Sequence, residues 1–586
     1  MSSALLLSLL CFAPLAFGST ETWSVAAAEL LAALAVLLHF FLCAARKTDI
    51  QPVPGLLPLL LLLAWLLAQC LPLPPALVQA VSPQTAEVWQ PVLGLLPPDT
   101  RIPLSLNPQT TFQEALRLGS YVLVYILAAQ LLCSGRRLTF FLSSVAGLTL
   151  FITAATLLQR AAAPESLFWL RPVRSGLGSF GPWVYRNHYA GFIVMTCPLL
   201  LAACLLHQPA KESEKETLRE WLLRLFSGSG LHLLFGFGAT AAVVSVFLTQ
   251  SRGGILSLSV SLLVFVLLLT WRQRGQRLAT LPLLAVLGGA MLAGIWLNWD
   301  GLLRRFQFAI DPAGGGLRDD RLLIWQDTFR IIADFPLTGI GFGSFADVFP
   351  GYKTLADDLF YDHAHNDFLE LLAEGGAVGF LLAAWFVCAV LRNGWRQTVL
   401  RHDRLAALTA VSAFSGLAGL LFFSLTDFNL HNWANGLYFF FLCALLAAAG
   451  RVRRHGRRPA ETAAAYPAVF GWAVFFAAAV LLLAALRLHG GSLRAEGAYR
   501  WAKSAAEDAS LSNEEKILRM AELLETARRS DPWNGLYPYL LGNIRMRQRQ
   551  PELALPLHVE AARRQPLEQE YLRAAAQAEK AVNRRR

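Results

Sequence analysis

The sequence predicts an all-α, polytopic membrane protein of about 12–13 transmembrane helices, with a large periplasmic loop and a C-terminal soluble helical domain. Three observations carry this. The chain of 586 residues is 55% hydrophobic and only 16% charged. Apolar runs of about 15 to 25 residues recur as far as Leu488, the length needed to cross roughly 30 Å of hydrocarbon. The basic residues fall in short clusters between those runs, so the net charge of +11 reads as membrane topology rather than as a groove for phosphodiesters. No nucleic-acid partner is expected.

The elements follow in order. Thirteen spans are predicted, at 4–18, 25–45, 55–79, 119–135, 138–158, 188–206, 232–249, 254–271, 279–297, 366–391, 404–424, 434–450 and 467–488. The first, LLLSLLCFAPLAFG, looks like a signal peptide but lacks a basic n-region, and another apolar run follows at once. It is read as a retained span. Alternate threading with the N-terminus in the cytoplasm leaves every inner connection basic. These hold Arg46 and Lys47; Arg136 and Arg137; KESEKETLREWLLR; Arg272, Arg274 and Arg277; Arg392, Arg396, Arg401 and Arg404; and RVRRHGRR at 451–458. The outer connections at 19–24 and 425–433 hold no Lys or Arg. The positive-inside rule then puts the 298–365 segment, and everything after Leu488, outside the cytoplasm, which is the periplasmic face if the membrane is a Gram-negative inner membrane. The eight cysteines lie in or beside apolar runs with no CxxC, so neither a disulfide framework nor a zinc ribbon is expected.

Positive charge is depleted outside, so outer arginines need reasons. Arg252 sits in TQSRGGILSL, a short turn between two apolar spans. Snorkelling to lipid phosphates accounts for the arginine, but not for Gly253 and Gly254, which permit a tight turn or close approach of a backbone to a ligand. Arg321 opens RLLIWQDTFRIIADFP, where Leu322, Ile324, Trp325, Phe329 and Ile332 space out an amphipathic helix on or near the membrane. Asp319 and Asp320 are its capping candidates. The GIGFGSF beyond Pro336 looks like a GxGxxG phosphate loop but follows no buried strand, so it is read as a loop folded tightly against the membrane core.

In DHAHNDFLELLAEGG, His363 and His365 precede an apolar helix, with Asp362 and Asp367 beside them. Such a set suits zinc or manganese. No second cluster of obvious spacing is visible, His431 in TDFNLHNW being the outer-loop candidate, and no metal or cofactor is expected. A histidine at a helix N-terminus feels the positive end of the dipole, which favours a neutral imidazole able to accept a proton. Capping of the helix is the structural alternative.

YRNHYAGFIVMTCPLLLA, TQSRGGILSL, RLLIWQDTFRIIADFPLTGIGFGSF and HAHNDFLELLAEGGAVGFLL occur in that order between about 180 and 440. Together they resemble the O-antigen ligase and polymerase (Wzy-C) superfamily, membrane glycosyltransferases of the GT-C type. The resemblance implies metal-independent transfer of a glycan from undecaprenyl diphosphate to an acceptor hydroxyl. It implies that Arg252 and Arg321 contact the diphosphate and that His365, directly before Asn366, activates the acceptor. Arg186 in RNH matches a family segment. Asn366 and His363 are counted with the substrate-binding residues, His363 without a role of its own. Chemically, two arginines at a partly dehydrated interface suit a dianionic leaving group, through bidentate hydrogen bonds. The carrier's polyprenyl tail would lie in lipid between spans.

The chain then divides into N-terminal spans (1–180), a ligase-like core (181–450) carrying the loop 298–365, a basic cytoplasmic loop with the last span (451–492), and a periplasmic helical region (493–586). Within the last, AELLETARRSDPWNGLYPYLLGNIRMRQRQPELALPLHVEAARRQP resembles tetratricopeptide-type hairpins, about two repeats at roughly 34 residues each. That is few for an independent solenoid. It reads as a helical cap or as a docking surface for an acceptor or partner protein. The acceptor stays open between lipid A-core (a ligase), another lipid-linked glycan (a polymerase) and an exported protein (an O-oligosaccharyltransferase). A transporter of the same lipid would share arginines and spans. Transporters, however, place charge near the midplane on interrupted helices with repeated halves, whereas these polar residues cluster on one face.

Overall fold

The computed structural model describes residues 1–48, 50–172, 179–209, 229–272, 288–289, 291–292, 320–355, 357–400, 403–452, 466–467 and 469–585. Its helices are α1 (Ser2–Leu15), α2 (Thr22–Ala45), α3 (Leu56–Gln69), α4 (Pro75–Val81), α5 (Pro83–Leu93), α6 (Pro108–Leu131), α7 (Gly135–Ala162), α8 (Arg186–His207), α9 (Leu231–Leu248), α10 (Arg252–Arg272) and α11 (Asp320–Asp334). They continue as α12 (Phe345–Val348), α13 (Asp367–Leu400), α14 (Arg404–Phe423), α15 (Trp433–Ala449), α16 (Val469–Glu507), α17 (Asn513–Ser530), α18 (Leu536–Arg547), α19 (Pro551–Arg564) and α20 (Gln569–Asn583). Among the described residues, β-structure is confined to a two-stranded pair, Ser166–Leu167 with Arg171–Pro172, and a few isolated bridges.

Nine of the described helices are long and apolar enough to cross a membrane, and α1, α3 and α15 are shorter apolar helices. Twelve of the thirteen expected spans therefore meet an apolar helix. The expected span at 279–297 lies largely outside the described residues. So do 298–319 of the expected outer loop, Asp319 among them, the KESEKETLREWLLR segment, and 453–458. Two boundaries are corrected. The span expected at 55–79 ends at Gln69, because Pro72, Pro74 and Pro75 withhold backbone donors and disfavour helix before them. The last span runs on as one helix to Glu507.

The contacts between connections sort into two sets. On one face, Gly18 meets Trp183 and Asn432, Arg171 pairs with Glu21, the Leu106 N–H donates to Ile340, and Asn187 donates to Asp427. On the other, Ile50 bridges Tyr466, Arg272 donates to the Thr398 carbonyl, Arg404 to that of Leu205 and Arg451 to that of Pro52. Successive connections alternate between these faces as the charge threading expects.

A second apolar cluster lies on the first face. It joins Trp89 of α5, Ile324 and Ile331 of α11, Phe345, Phe349, Ala561 and Ala562 of α19, and Tyr571 of α20. Phe112 also stacks on Trp533, with ring centroids 6.3 Å apart. The C-terminal helices thus cap the membrane bundle, and the segment between α3 and α6 belongs to the same layer.

α13 is broken at Gly376 (φ 62°, ψ −172°). Segment 336–341 takes up the freed backbone groups. Ile340 and Gly341 N–H donate to the carbonyls of Ala373 and Glu374 (both 3.0 Å), and Ala377 N–H donates to that of Pro336 (2.9 Å). Trp65 Nε1 donates to Gly375 O at 3.0 Å, and Gln69 Nε2 to Thr338 O at 2.8 Å. A broken helix in an apolar bundle survives where protein groups re-satisfy its backbone in this way. An interrupted helix is thus present here, contrary to one reason for setting a transporter aside. The tight GIGFGSF loop is as expected. A Cβ at Gly339 would lie 2.2 Å from Glu374 O, and one at Gly376 2.2 Å from Leu337 O, both with left-handed φ. Gly339→Ala or Gly376→Ala should cost more than about 2 kcal/mol and deplete monodisperse protein in size-exclusion profiles. Gly351→Ala, with nothing within 4 Å of its added carbon, should leave the profile unchanged.

Candidate active site

Two of the expected site residues, His363 and His365, meet one ring, Phe428, in the connection between α14 and α15. Tyr185 and His363 stack on it at 5.5 and 4.3 Å, and His188 and His365 meet it edge-on, each at 5.0 Å. Three connections supply these groups, so the site exists only in the folded bundle.

Arg321 acts on three of the groups gathered here. Its guanidinium hydrogen-bonds Tyr185, and its charge acts on Asp427 and His365. Asp427 accepts the Phe428 N–H at 2.8 Å and the Asn187 amide. Burial pushes this carboxyl up to about 6, with Arg321 opposing. His365 holds a left-handed φ of 52°. Among the described residues its Nδ1 is buried without a hydrogen-bond partner. Burial, then Arg321, push His365 down to about 4, so the imidazole is neutral at pH 7.

Two further carboxylates, Glu370 and Asp367, gather around His363 and His431. His363 Nδ1 is 2.6 Å from Glu370 Oε1, and the Ala364 N–H donates to Glu370 Oε2 at 2.8 Å. His431 has a carboxylate at each nitrogen, Asp367 Oδ1 at 3.1 Å from Nδ1 and Glu370 Oε1 at 3.3 Å from Nε2. Burial opposes its charge, but Glu370 and Asp367 prevail and hold His431 up at about 10. Ser424 Oγ donates to Asp367 Oδ2 at 2.7 Å, and Arg117 donates to the His431 carbonyl at 2.7 Å. Trp325 Nε1, donating to Ala364 O at 3.0 Å, ties the histidine loop to α11.

The remaining expected residues sort as follows. Asn366 Oδ1 accepts the N–H groups of Phe368 and Leu369 at 3.0 and 3.1 Å, so the cap of α13 is Asn366 and not a histidine. Arg186 opens α8 and acts electrostatically on Tyr185. Arg252 opens α10 beside the connection that carries Asp427. Cβ atoms at Gly253 and Gly254 would lie 2.7 Å from Thr426 Oγ1 and from Ala190 Cβ. Close helix packing therefore accounts for the two glycines, which had suggested ligand approach. Glu370, Asp427, Tyr185 and Phe428 were not singled out as acting residues from sequence, and His431 only as an outer-loop metal-ligand candidate. A signal for the acidic ones was present. Asp367, Glu370 and Glu374 recur at i, i+3 and i+7 within an apolar helix, where buried carboxylates are expensive.

His363, Glu370 and His431 could hold a metal ion, their ligand atoms lying within 4.8 Å of one another. This is the second cluster that sequence spacing did not reveal. Both histidines address the same carboxylate oxygen, and the other nitrogen of His431 faces Asp367, so hydrogen bonding already accounts for the arrangement. Asp367 and His431 also line a cavity of about 330 Å³, with Arg117, Glu114 and Glu374 and otherwise apolar walls that include Leu62, Phe386 and Phe440.

Residues 237–384 match the family described as O-Antigen ligase. No curated protein matches the chain. The matched stretch takes in Arg252, Arg321, His363, His365 and Glu370, and ends before Asp427 and His431. It supports membership of this chain in the O-antigen ligase superfamily.

Proposed function

We propose that this protein is a glycosyltransferase that moves a glycan from undecaprenyl diphosphate to an acceptor hydroxyl at the periplasmic face of the bacterial inner membrane. The observation that carries the reading is the meeting of Arg321 with His365, Tyr185 and Asp427 at one end of a membrane bundle. The family match supports glycan transfer in general. Diphosphate oxygens gain charge as the bond to sugar C1 breaks, and guanidinium groups preorganised beside them stabilise that charge most where water is excluded. Arg321 supplies this directly, with Arg252 and Arg186 at the helix starts around it. The isoprenoid chain of the donor would occupy apolar space between spans, for which the cavity beside Asp367 and His431 is suited. Protein side chains carry the chemistry in this reading, without a metal.

Lipid A-core, a second lipid-linked glycan and a protein hydroxyl remain the acceptor classes, and the C-terminal cap stands over the face where any of them would arrive. Deletion of the gene should leave the lipid-linked glycan on the outer leaflet, with the acceptor unmodified. Purified enzyme in liposomes should transfer the glycan after chelator treatment. Accumulation on the inner leaflet would instead mark a transporter. Loss of transfer restored by added zinc would mark a metal enzyme.

A further inference from the structure

We propose that Asp327 is a positioning residue of the transfer site, a clamp that holds the loop leading to His363 and His365 in a fixed place relative to Arg321. This rests on the glycan-transfer reading.

α11 and that loop are joined at three points. Asp334 Oδ2 accepts from the Tyr352 hydroxyl at 2.6 Å. Asp327 Oδ2 accepts the Thr354 N–H at 2.8 Å, and the Thr354 hydroxyl lies 3.0 and 2.9 Å from the two oxygens of the same carboxylate. Trp325 Nε1 donates to the Ala364 carbonyl at 3.0 Å. The loop thus runs antiparallel to the helix. Next in line stand Arg321, at the start of α11, and His365, directly after Ala364, and the charge of Arg321 acts on that histidine. Between Thr354 and Ala364 the loop is braced by its own side chains. The Lys353 ammonium donates to Asp357 O and Oδ1, both at 2.6 Å, and to Leu359 O at 2.9 Å. The Tyr361 hydroxyl donates to Asp357 Oδ2 at 2.9 Å. A loop this stiff passes on the placement of its two feet, which are Thr354 and Ala364.

Asp327 is the unusual member of the set. Its side chain is 0% exposed, and Arg330, whose Nη1 lies 3.3 Å away, is itself half exposed. A buried carboxylate is a costly fastener where stability alone is at stake. Apolar packing already seats the loop, since Ala364 belongs to the second core and Tyr352, Leu355 and Tyr361 pack against it. Apolar contact tolerates sliding, whereas two donors of one residue meeting one carboxylate set both distance and direction. Reacting groups must be held to within about 0.5 Å, and a displacement of about 1 Å caused by a residue away from the chemistry costs about 10²-fold in rate. Register between α11 and the loop is what Asp327 supplies beyond packing. Ile324 and Ile331 of α11 lie in the second core, so the helix keeps its own place, and with it Arg321, when the clamp is removed.

The test uses the full chain in liposomes with an undecaprenyl-diphosphate-linked glycan, and membranes of the deletion strain supply the acceptor. Released undecaprenyl diphosphate per folded enzyme and donor binding are scored separately. Asp327→Ala should lower kcat by about 10²-fold and leave donor binding unchanged. Asp327→Asn, which keeps an acceptor for Thr354, should restore part of the rate. Combined with Arg321→Ala, Asp327→Ala should cost much less than it does alone, because the register it maintains no longer has both members. Unimpaired transfer by Asp327→Ala overturns the proposal. So does a loss that multiplies in full with that of Arg321→Ala, the mark of a purely structural residue. If Asp327→Ala fails to accumulate, Thr354→Val, which loses the hydroxyl and keeps the N–H, is scored in the same way. A several-fold loss of kcat with donor binding intact is then expected, and unimpaired transfer overturns the clamp. Absence of transfer by the wild-type chain overturns the functional reading, whereas wild-type transfer with an unimpaired Asp327→Ala variant overturns this inference alone.

Discussion

Arg321→Ala should reduce glycan transfer by about 10²- to 10³-fold, the effect of removing one preorganised donor from a developing anion. The loss should exceed that of a simple point charge, because Arg321 also organises its surroundings. It hydrogen-bonds Tyr185 and opposes the burial that raises Asp427. Without it, Asp427 moves further toward its neutral form, and the Asn187–Asp427 contact loses its charged partner. Arg321→Lys should recover only part of the rate, since an ammonium group cannot form the planar bidentate pair. Transfer per unit of folded enzyme, with donor affinity measured in parallel, checks both variants. An Arg321→Ala enzyme with wild-type transfer would remove Arg321 from the mechanism.

His431→Ala should destabilise the protein by about 3–5 kcal/mol, the cost of breaking a buried ion pair and leaving its partner charged. Here the partners left behind are Glu370 and Asp367 on the first turn of the broken helix α13. The pH dependence has a definite sign. The folded-state value of about 10 lies above the ordinary 6.5, so the stabilisation from His431 is complete below about pH 6.5. It is lost as pH rises through 10. The gap in apparent Tm between wild type and His431→Ala should therefore be widest near pH 6 and close by pH 10.5. A gap independent of pH would contradict a charged His431.

The membrane architecture was legible because it depends on local properties. Each span is a run of apolar residues whose transfer into hydrocarbon is decided residue by residue, and twelve expected runs became apolar helices. The segment between α3 and α6 was misplaced because Leu71, Leu73, Ala76, Leu77 and Val78 are as apolar as a span. Val78 and Leu73 serve instead a second core on the bundle face, Leu71, Ala76 and Leu77 stay exposed, and the prolines among them were the overlooked sign. Arg321 and His365 were legible as unusual charges beside a bilayer. Glu370 was not singled out, although a carboxylate buried in an apolar helix is equally costly, since hydropathy averages conceal single charges.

The sequence by itself determined that the chain crosses a membrane many times, the alternation of its connections, and the short list of polar residues that membrane burial leaves unexplained. Those follow from hydration costs that each residue pays in its own stretch of chain. Only the tertiary structure decided which histidine meets which charge. His431 reaches Asp367 from 64 positions away, and Asn187 reaches Asp427 from 240. Such pairings are set by how helices pack, and no local pattern encodes them. That packing gives two residues of one short motif different neighbours, with His363 hydrogen-bonded to Glu370 and His365 without a hydrogen bond at its buried Nδ1 among the described residues.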